Sequence, residues 1–190
     1  MSNIPRDLPL QIETARLLIR CPQPGDGRVV HEAVVETLGE LRAWPASLPW
    51  TVFEPSVDSS EAFCRQGHAD FLARSNFPML VFLKQGLVYV GGNGLHDLDW
   101  SVPRCEIGYW CRKGYTGQGI ATEAVKAVSA FAIQTLGARR VVSLPDEKNL
   151  ASRLVAERAG YLLEGVMHNE RKAPDGLLRN TCLYALAVDA

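Results

Sequence analysis

Apolar and polar residues alternate from Ile12 to Arg20, which predicts a β-strand. The proline- and glycine-rich residues 22–27 end that strand. Apolar residues then recur at helical spacing from Val29 to Leu41. A second helix is predicted from Asp58 to Ser75, with Asp58 as its N-cap and Glu61 as the carboxylate three residues later. The chain therefore starts with a strand and two helices.

Three strands are predicted in the middle of the chain. The apolar segments Phe77 to Leu83 and Leu87 to Leu95 flank a Gln85-Gly86 turn, a pattern typical of a β-hairpin. A further strand is predicted from Arg104 to Cys111. The hairpin places the first two of these strands side by side.

The second half of the chain opens with its longest helical pattern, from Ile120 to Leu136. A short β-branched strand is predicted from Arg139 to Leu144. A helix capped by Asn149 follows and stops at Gly160. The last two strands are predicted from Tyr161 to Met167 and from Asn180 to Val188.

The resulting order is βααβββαβαββ, with about seven strands and about four helices. This order indicates an α/β (α+β) fold, in which a mixed sheet carries helices on both faces. The chain has 190 residues, of which 47% are hydrophobic, so residues 1–190 can form one domain around one core.

Charge and hydropathy narrow the class of partner. Twenty basic residues against 21 acidic ones give a net charge of -1, without a polybasic run that would bind nucleic acid or a membrane surface. No uncharged apolar run is long enough for a membrane helix, and the start, Met1 to Arg20, lacks the layout of a secretory signal. We therefore expect a cytoplasmic protein that binds neither nucleic acid nor membrane.

The cysteines and histidines give no sign of a metal or a disulfide framework. The five cysteines are odd in number and nowhere spaced as Cys-x-x-Cys, so we expect reduced, mostly buried thiols. The four histidines also fall into no metal-ligand spacing. The prediction is that the protein holds no metal. The residues are Cys21, Cys64, Cys105, Cys111, Cys182, His31, His68, His96 and His168.

A glycine-containing turn, Thr116 to Thr122, lies between a predicted strand and the longest helix. Gly117 and Gly119 let the main chain approach an anion closely, and free N–H groups at a helix start favour negative charge. A diphosphate fits such a turn, although two glycines also occur in ordinary tight turns. No Gly-Lys-Ser/Thr follows, and the Rossmann glycine spacing is missing, which argues against nucleotide hydrolysis and hydride transfer.

Several segments together resemble the GNAT acetyltransferases, and in particular the branch that acetylates the N-termini of ribosomal proteins (the Rim-type enzymes). The strand motif Glu106-Ile107-Gly108-Tyr109-Trp110 and the turn-helix motif 117–124 resemble the core signature of the superfamily. The branch is indicated by Thr14-Ala15-Arg16-Leu17, Asn149-Leu150-Ala151-Ser152, Ala159-Gly160-Tyr161, Glu164-Gly165, Gly176 and Leu183-Tyr184. The resemblance spans nearly the whole chain.

The resemblance implies the GNAT fold, with a mostly antiparallel sheet in which strands 104–111 and 139–144 are parallel and splay apart. It also implies acetyl-CoA as cosubstrate, with the pantetheine arm in the gap between those strands. The implied cofactor-binding residues are Tyr109, Trp110, Cys111, Arg112, Gly117, Gln118, Gly119, Ile120, Ala121, Thr122, Asn149 and Ser152. Thr116 departs from the Arg or Gln usual at that position, and Arg112 or Lys113 is expected to supply the missing charge.

Acetyl transfer needs a neutral amine, which in turn needs a base. Glu106 is the first candidate, because desolvation within an apolar strand raises a carboxyl pKa. The alternative is that Glu106 merely pairs with Arg104 or with a cation on another strand. Glu170 is the rival base, since members of this branch have a carboxylate near that loop.

Protonation of the departing thiolate needs a hydroxyl. Many GNAT enzymes use a tyrosine on the helix after strand 139–144, but Ala156 stands at the expected position. Ser152 matches the serine of the ribosomal branch and falls at position N3 of the helix that Asn149 caps. The alternative is that Ser152 is an ordinary first-turn serine.

The sequence is compatible with more than one class of acceptor amine. Neutralising a lysine at pH 7 costs about 4.6 kcal/mol, against about 1 to 1.4 kcal/mol for a terminal α-amine. A protein N-terminus is therefore the leading acceptor, with Trp44 and Trp50 lining its site. A small amine (an aminoglycoside, polyamine or amino acid) and a silent acyl-CoA-binding module, suggested by Thr116 and Asn180, are the alternatives. The resemblance also implies a homodimer.

Overall fold

One eight-stranded sheet runs through the protein. The computed structural model describes residues 8–188, so the first seven residues of the segment Met1 to Arg20 lie outside the described part. The spatial order of the strands is β1-β2-β3-β4-β5-β6-β8-β7. The strands are Gln11–Glu13 (β1), Leu17–Arg20 (β2), Phe77–Leu83 (β3), Val88–Asp99 (β4), Arg104–Cys111 (β5), Arg140–Ser143 (β6), Leu162–Lys172 (β7) and Leu178–Ala187 (β8).

Neighbouring strands are antiparallel except β5 and β6, which are parallel. The mixed, mostly antiparallel sheet of the prediction is therefore confirmed. The four α-helices of the described part are Gly27–Leu41 (α1), Val57–Ala73 (α2), Ile120–Ala130 (α3) and Leu150–Arg158 (α4). A π-helical segment, Phe131–Thr135, continues α3 to the end of the predicted helix.

The first predicted strand is two strands. Thr14 N–H donates to the Leu17 carbonyl (2.9 Å), and Leu17 N–H donates to the Thr14 hydroxyl (2.9 Å), so the chain reverses between β1 and β2. The alternating pattern continues across this turn, and pattern alone does not reveal a reversal. The sheet therefore has eight strands rather than about seven.

The predicted start of the second helix is wrong. Ser56 caps α2, because its hydroxyl accepts from Ser59 N–H and the Ser59 hydroxyl in turn accepts from Ser56 N–H. The Glu61 carboxylate instead accepts from the N–H groups of Gly25 and Gly27 at the start of α1, at 3.0 to 3.1 Å. It thus caps the neighbouring helix, an arrangement that only tertiary packing produces.

Helices cover both faces of the sheet, as predicted. Phe77, Met79 and Val81 of β3 belong to a buried cluster with residues of α3 and α4, whereas Leu80 and Phe82 belong to a second cluster with residues of α1 and α2. This alternation follows from the period of a strand, whose successive side chains point to opposite faces. The inner strands are buried on both sides, which explains their nearly continuous apolar sequence.

The cysteines are free thiols, four of them buried and Cys111 partly buried. Burial raises the pKa of the Cys105 thiol to about 12 and that of the Cys111 thiol to about 11. Thiols with such pKa values carry little thiolate at neutral pH and are poor nucleophiles. No helix within residues 8–188 has the length and apolar character required to cross a membrane.

Candidate active site

The parallel strands β5 and β6 pair over only three residues each. Arg104, Cys105 and Glu106 lie opposite residues 140–142, and the pairing ends there. From Ile107 onward the strands diverge, which leaves a gap beside the main chain of β5. The two parallel strands that the resemblance predicts to separate therefore do so, and they are β5 and β6.

A cluster of three hydroxyl groups lies at the open end of this gap. The Tyr109 hydroxyl donates to the carbonyl oxygen of Ser152 at 2.8 Å and accepts from the Ser152 hydroxyl at 3.1 Å. The Ser143 hydroxyl, at the end of β6, lies 3.4 Å from the same phenol oxygen. Burial raises the pKa of Tyr109, against the opposing effect of its two serine hydrogen bonds.

Ser152 holds the position that the sequence predicts. The Asn149 side chain accepts from Ser152 N–H at 3.1 Å, so Asn149 is the N-cap of α4 and Ser152 is its N3 residue. Ala156, one turn later, is fully buried in the core. Tyr109 brings a phenol to this helix from β5 instead, a contact between residues 43 positions apart that the motif did not reveal.

The predicted anion-binding turn has the expected geometry. Gly117 and Gly119 have φ values of +74° and +76°, in the left-handed region that favours glycine. Gly119 is the N-cap of α3 and has no side chain that could cap the helix. The first main-chain bond of the helix runs from Glu123 N–H to the Gly119 carbonyl, which leaves the earlier N–H groups of the turn directed outward. The residues present therefore fit a diphosphate.

Arg16 lies beside this turn, a position that no local pattern in the sequence predicts. Its Nε contacts Glu123 Oε2 at 2.7 Å, and its Nη1 donates to the Gln118 carbonyl at 3.0 Å. The Thr14 hydroxyl donates to the same Glu123 carboxylate at 2.6 Å. The β1–β2 turn thus ties down the first turn of α3. The family motif Thr14 to Leu17 includes Arg16, but nothing in that motif indicates that Glu123 is the partner of Arg16.

Arg112 and Lys113, expected to supply charge to the turn, bind α1 instead. Arg112 contacts Glu36 at 2.7 Å, and Lys113 contacts Glu40 at 2.6 Å. The Thr116 hydroxyl donates to the Lys113 carbonyl at 3.0 Å, so it closes its own short turn. The guanidinium of Arg16, by contrast, lies beside the turn, because its Nη2 would lie 3.6 Å from a Cβ added at Gly119.

An Arg16→Met substitution tests this arrangement. Loss of the guanidinium frees the turn and removes a positive charge beside the anion site. We expect the dissociation constant of coenzyme A, measured by calorimetry, to rise roughly tenfold, about 1.4 kcal/mol. Arg65→Met, which removes an exposed arginine paired with Glu61 on α2, is the matched control and should leave the constant unchanged. Equal constants for both variants would contradict a role for Arg16.

Trp110 and Tyr109 point to opposite faces of β5. The Trp110 ring packs edge-on against Tyr89 at 5.9 Å, within the cluster formed with α1 and α2. Tyr109 packs against the cluster formed with α3 and α4. Only the main chain of Trp110 is therefore available on the side of the hydroxyl cluster, whereas Tyr109 offers a side chain there.

Glu106 is the most enclosed carboxylate candidate for the base. Its side chain is 16% exposed, and its Oε1 lies 3.9 Å from His96 Nε2 on the neighbouring strand β4. Burial raises the pKa of Glu106, and the nearby charges of His96 and Arg171 oppose that rise. The alternative ion pair between Glu106 and Arg104 is not formed. Arg104 instead contacts Asp99 at 3.8 Å.

Glu170, the rival base, is engaged with its neighbours. Its Oε2 accepts from the Thr181 hydroxyl at 2.7 Å and contacts Arg171 Nε at 3.1 Å. One potential ligand atom from each of His96, Asp97 and Glu106 lies within 4.8 Å of those of the other two, a grouping that their sequence spacing did not indicate. The expectation that the protein holds no metal stays a prediction.

A pocket of about 180 Å³ lies between the loop after α1 and the β7–β8 hairpin. Two arginines and two aspartates line it, so its formal charges cancel. Trp44, one of the two tryptophans predicted to line the acceptor site, also lies in its wall. Trp50 is 43% exposed and lies outside the lining of this pocket. The lining residues are Arg42, Ala43, Trp44, Pro45, Ala46, Asp146, Ala173, Asp175 and Arg179.

A buried ion pair forms one wall of this pocket. Arg179 donates to both carboxylate oxygens of Asp146, at 2.7 and 2.9 Å, and the Asp146 side chain is 4% exposed. Burial opposes ionisation of Asp146, but the Arg179 guanidinium outweighs it and the pKa of this carboxyl is lowered. The same guanidinium lies 5.9 Å from the centre of the Trp44 ring.

The sequence of the chain is similar to those of known acetyltransferases. Residues 16–162 match the model of the acetyltransferase (GNAT) domain. YdaF of Bacillus subtilis, a proposed ribosomal N-acetyltransferase, is 30% identical over 168 residues, which cover 86% of this chain and 84% of YdaF. The ribosomal-protein-serine acetyltransferase of Escherichia coli is 28% identical over 144 residues, which cover 76% of this chain and 79% of that protein.

Solved structures share the fold. RimL, a ribosomal L7/L12 α-N-protein acetyltransferase in complex with coenzyme A, superimposes with a TM-score of 0.85 at 22% identity, covering 95% of this chain and 99% of RimL. MccE, the microcin C7 self-immunity acetyltransferase in complex with acetyl-CoA and AMP, gives a TM-score of 0.82 at 19% identity, covering 92% of this chain and 94% of MccE. Because the acetyltransferase (GNAT) domain model matches most of the chain, and the splayed strands agree with that fold, the chain belongs to the GNAT acetyltransferase family.

Proposed function

We propose that the protein transfers the acetyl group of acetyl-CoA to the N-terminal α-amine of a protein, and that the acceptor is a ribosomal protein. The observation that carries this proposal is the 30% identity to YdaF over 86% of the chain. The E. coli relative is likewise a ribosomal-protein acetyltransferase. The site chemistry is compatible with such an acceptor.

Glu106 acts as the base in this proposal. Its raised pKa makes it a better proton acceptor than an ordinary carboxylate once it is ionised. A terminal α-amine costs only about 1 to 1.4 kcal/mol to neutralise at pH 7, so a carboxylate of this kind suffices. A lysine side chain, at about 4.6 kcal/mol, demands more of the same group.

Other groups of the chain bind acetyl-CoA and stabilise the leaving thiolate. Acetyl-CoA supplies the acetyl thioester. The N–H groups of the turn 117–122 hold the diphosphate, and main-chain groups of Tyr109 to Cys111 hold the pantetheine arm and the acetyl carbonyl. The Ser152 hydroxyl, now directed at the Tyr109 oxygen, turns to donate to the leaving sulfur. Tyr109 stays anchored to the Ser152 carbonyl and so holds the first turn of α4 in position.

The pocket beside Trp44 receives the residues that follow the acceptor amine. Its two arginines and two aspartates balance in formal charge, which gives no preference for a polycation. The Asp146 carboxylate is already neutralised by Arg179. This balance favours a peptide over an aminoglycoside or a polyamine as the occupant.

The test is thiol release from acetyl-CoA with a panel of acceptors. Peptides that begin with Ser, Ala or Met are compared with the same peptides blocked at the N-terminus but carrying an internal lysine, and with polyamines and aminoglycosides. We expect turnover of free N-termini and at least tenfold less with blocked peptides. Turnover of blocked peptides or small amines alone would contradict the acceptor assignment. Binding of acetyl-CoA without any turnover would favour the silent-module alternative.

Cellular location and oligomeric state are also part of the proposal. A ribosomal-protein acceptor implies that the enzyme acts in the cytoplasm. The edge strand β7 exposes Leu162 and Leu163, at 75% and 47%, which offers apolar surface for the expected homodimer. Light scattering on the purified protein measures its mass directly, and a monomer at micromolar concentration would contradict the dimer.

A further inference from the structure

His96 and Glu106 form a cross-strand pair on one face of the sheet. They lie directly opposite each other in the antiparallel pairing of β4 and β5, and 3.9 Å separates Nε2 from Oε1. Residues opposite each other on neighbouring strands point to the same face. The imidazole therefore lies beside the proposed base, on the side of the sheet that carries α1 and α2.

Solvent exposure increases along a short row of three side chains. Glu106 is 16% exposed, His96 is 43% exposed, and Asp97 is 79% exposed. His96 Nδ1 lies 3.4 Å from Asp97 Oδ2. The row thus connects an enclosed carboxylate to bulk water through an imidazole, whose two ring nitrogens face the two carboxylates.

Two backbone features support this placement. The register of β4 and β5 shifts between His96 and Asp99, and Asp97 has a φ of +49°, a left-handed conformation that is uncommon outside glycine. Gly108 lies beside the imidazole, and a Cβ added there would come within 3.2 Å of His96 Nε2. The bulge positions Asp97, and the glycine leaves room for the ring.

We propose that His96 carries the amine proton from Glu106 to solvent, with Asp97 stabilising the imidazolium. This proposal rests on the proposed function, in which Glu106 is the base. The Glu106 carboxylate takes one proton from the acceptor nitrogen and passes it to His96 Nε2. The imidazolium then releases one proton to water, and both side chains return to their starting charge. A small rotation of the exposed ring, or one water molecule, spans the 3.9 Å separation.

Other charged groups surround the pair. Arg171 and Glu170 of β7 act on Glu106 together with His96 and Asp97 of β4. Arg171 is held by Glu170 and by the Leu144 carbonyl, which its Nη1 contacts at 3.3 Å. Among these four side chains, only the imidazole has two ring nitrogens of which one can accept a proton while the other donates one, so it is the group suited to pass a proton onward.

The kinetic test uses His96→Ala in a weak, bulky buffer. We expect kcat to fall about tenfold, with little change in the KM of either substrate, and to recover on addition of millimolar imidazole, which replaces the missing ring. The acid limb of kcat/KM should also move to higher pH, because loss of the imidazolium removes a charge that favours ionised Glu106. His168→Ala, which removes an exposed histidine from β7, is the matched control and should behave as wild type.

A second measurement does not depend on turnover. The ring resonances of His96 are compared by NMR at one pH in the wild type, in Glu106→Gln and in Asp97→Asn. We expect them to move in both variants, since each variant removes a carboxylate that lies beside the ring. This readout separates failure of the relay from failure of the proposed acceptor, because it uses the protein without substrates.

Four results would overturn the proposal. They are unchanged His96 ring resonances in Glu106→Gln, an unchanged kcat in His96→Ala, a loss of kcat that imidazole does not restore, and a loss of wild-type activity on addition of EDTA. The third result would indicate a structural role for the ring. The fourth would indicate that the three side chains hold a metal ion instead.

Discussion

Replacing Glu106 with Gln is expected to lower kcat by roughly 10²- to 10⁴-fold, the range typical of a general base. Gln keeps the shape of the side chain but cannot accept the proton of the acceptor amine. Thiol release under saturating acetyl-CoA and peptide measures the effect. Calorimetry should give an unchanged affinity for acetyl-CoA, since no cofactor-binding role falls on this carboxylate.

The pH profile provides a second signature of the same group. Burial raises the pKa of Glu106, so the carboxylate stays protonated, and unable to act as a base, to a higher pH than an ordinary glutamate. Activity of the wild type should therefore fall on the acid side with a midpoint above the ordinary carboxyl pKa. Glu106→Gln should lack this acid limb.

Glu170→Gln is the comparison that separates the two candidate bases. The Glu170 carboxylate is bound by the Thr181 hydroxyl and by Arg171, so its replacement should lower kcat less than tenfold. A larger effect from Glu170→Gln than from Glu106→Gln would reverse the assignment. Similar activity of both variants and the wild type would mean that positioning of the substrates carries the rate.

Replacing Asp146 with Asn is expected to lower the free energy of unfolding by about 3 kcal/mol, because it leaves the Arg179 guanidinium without its bidentate carboxylate. The Asp146 side chain is 4% exposed and that of Arg179 is 24% exposed, so the pair is poorly screened by solvent. Denaturant unfolding of the two proteins measures the difference. The KM of the peptide should also rise, since both residues line the pocket beside Trp44.

The pH dependence of this effect has a defined sign. The pKa of Asp146 is lowered in the folded state, so its contribution to stability is present above the ordinary aspartate pKa. That contribution is lost as the pH falls through the lowered value. The difference between wild type and Asp146→Asn should therefore be largest near neutrality and shrink in acid.

Glu164→Gln is the matched control for this prediction. Glu164 pairs with Arg140, but the two side chains are 42% and 31% exposed, so solvent screens the pair. Loss of such a screened surface pair should change the free energy of unfolding far less than loss of the Asp146 pair. Equal destabilisation by Glu164→Gln and Asp146→Asn would contradict the importance assigned to burial at Asp146.

Local signals predicted most of the fold and the position of the glycine turn before α3. The chain must adopt a positive φ at Gly117 and Gly119, and glycine is the residue that allows it, so the turn is visible in the sequence. Asn149 is likewise visible, because a helix cap involves residues only three positions apart. The strands of the hairpins and the four helices follow from their hydrophobic periods.

Where the pattern was ambiguous, local reasoning failed. The alternation from Ile12 to Arg20 hid a reversal at Thr14, and the Asp58 and Glu61 cap pattern was wrong because Ser56 caps the helix. The decisive hydrogen bonds, Thr14 with Leu17 and Ser56 with Ser59, each join residues three positions apart, but a second plausible pattern overlapped each of them. Only the role of Glu61, whose carboxylate binds the start of α1, depends on tertiary packing.

The sequence by itself determined the family motifs, the residue types at the glycine turn and the order of elements, apart from the division of the first strand into β1 and β2. Only the tertiary structure brought Arg16 to Glu123, across 107 positions, and Tyr109 to Ser152, across 43. It also decided that His96 faces Glu106, because the register of β4 and β5 fixes which residues lie opposite each other. The physical reason is common to all three contacts: each joins separate elements, and the sheet and its packed helices set those distances rather than spacing along the chain.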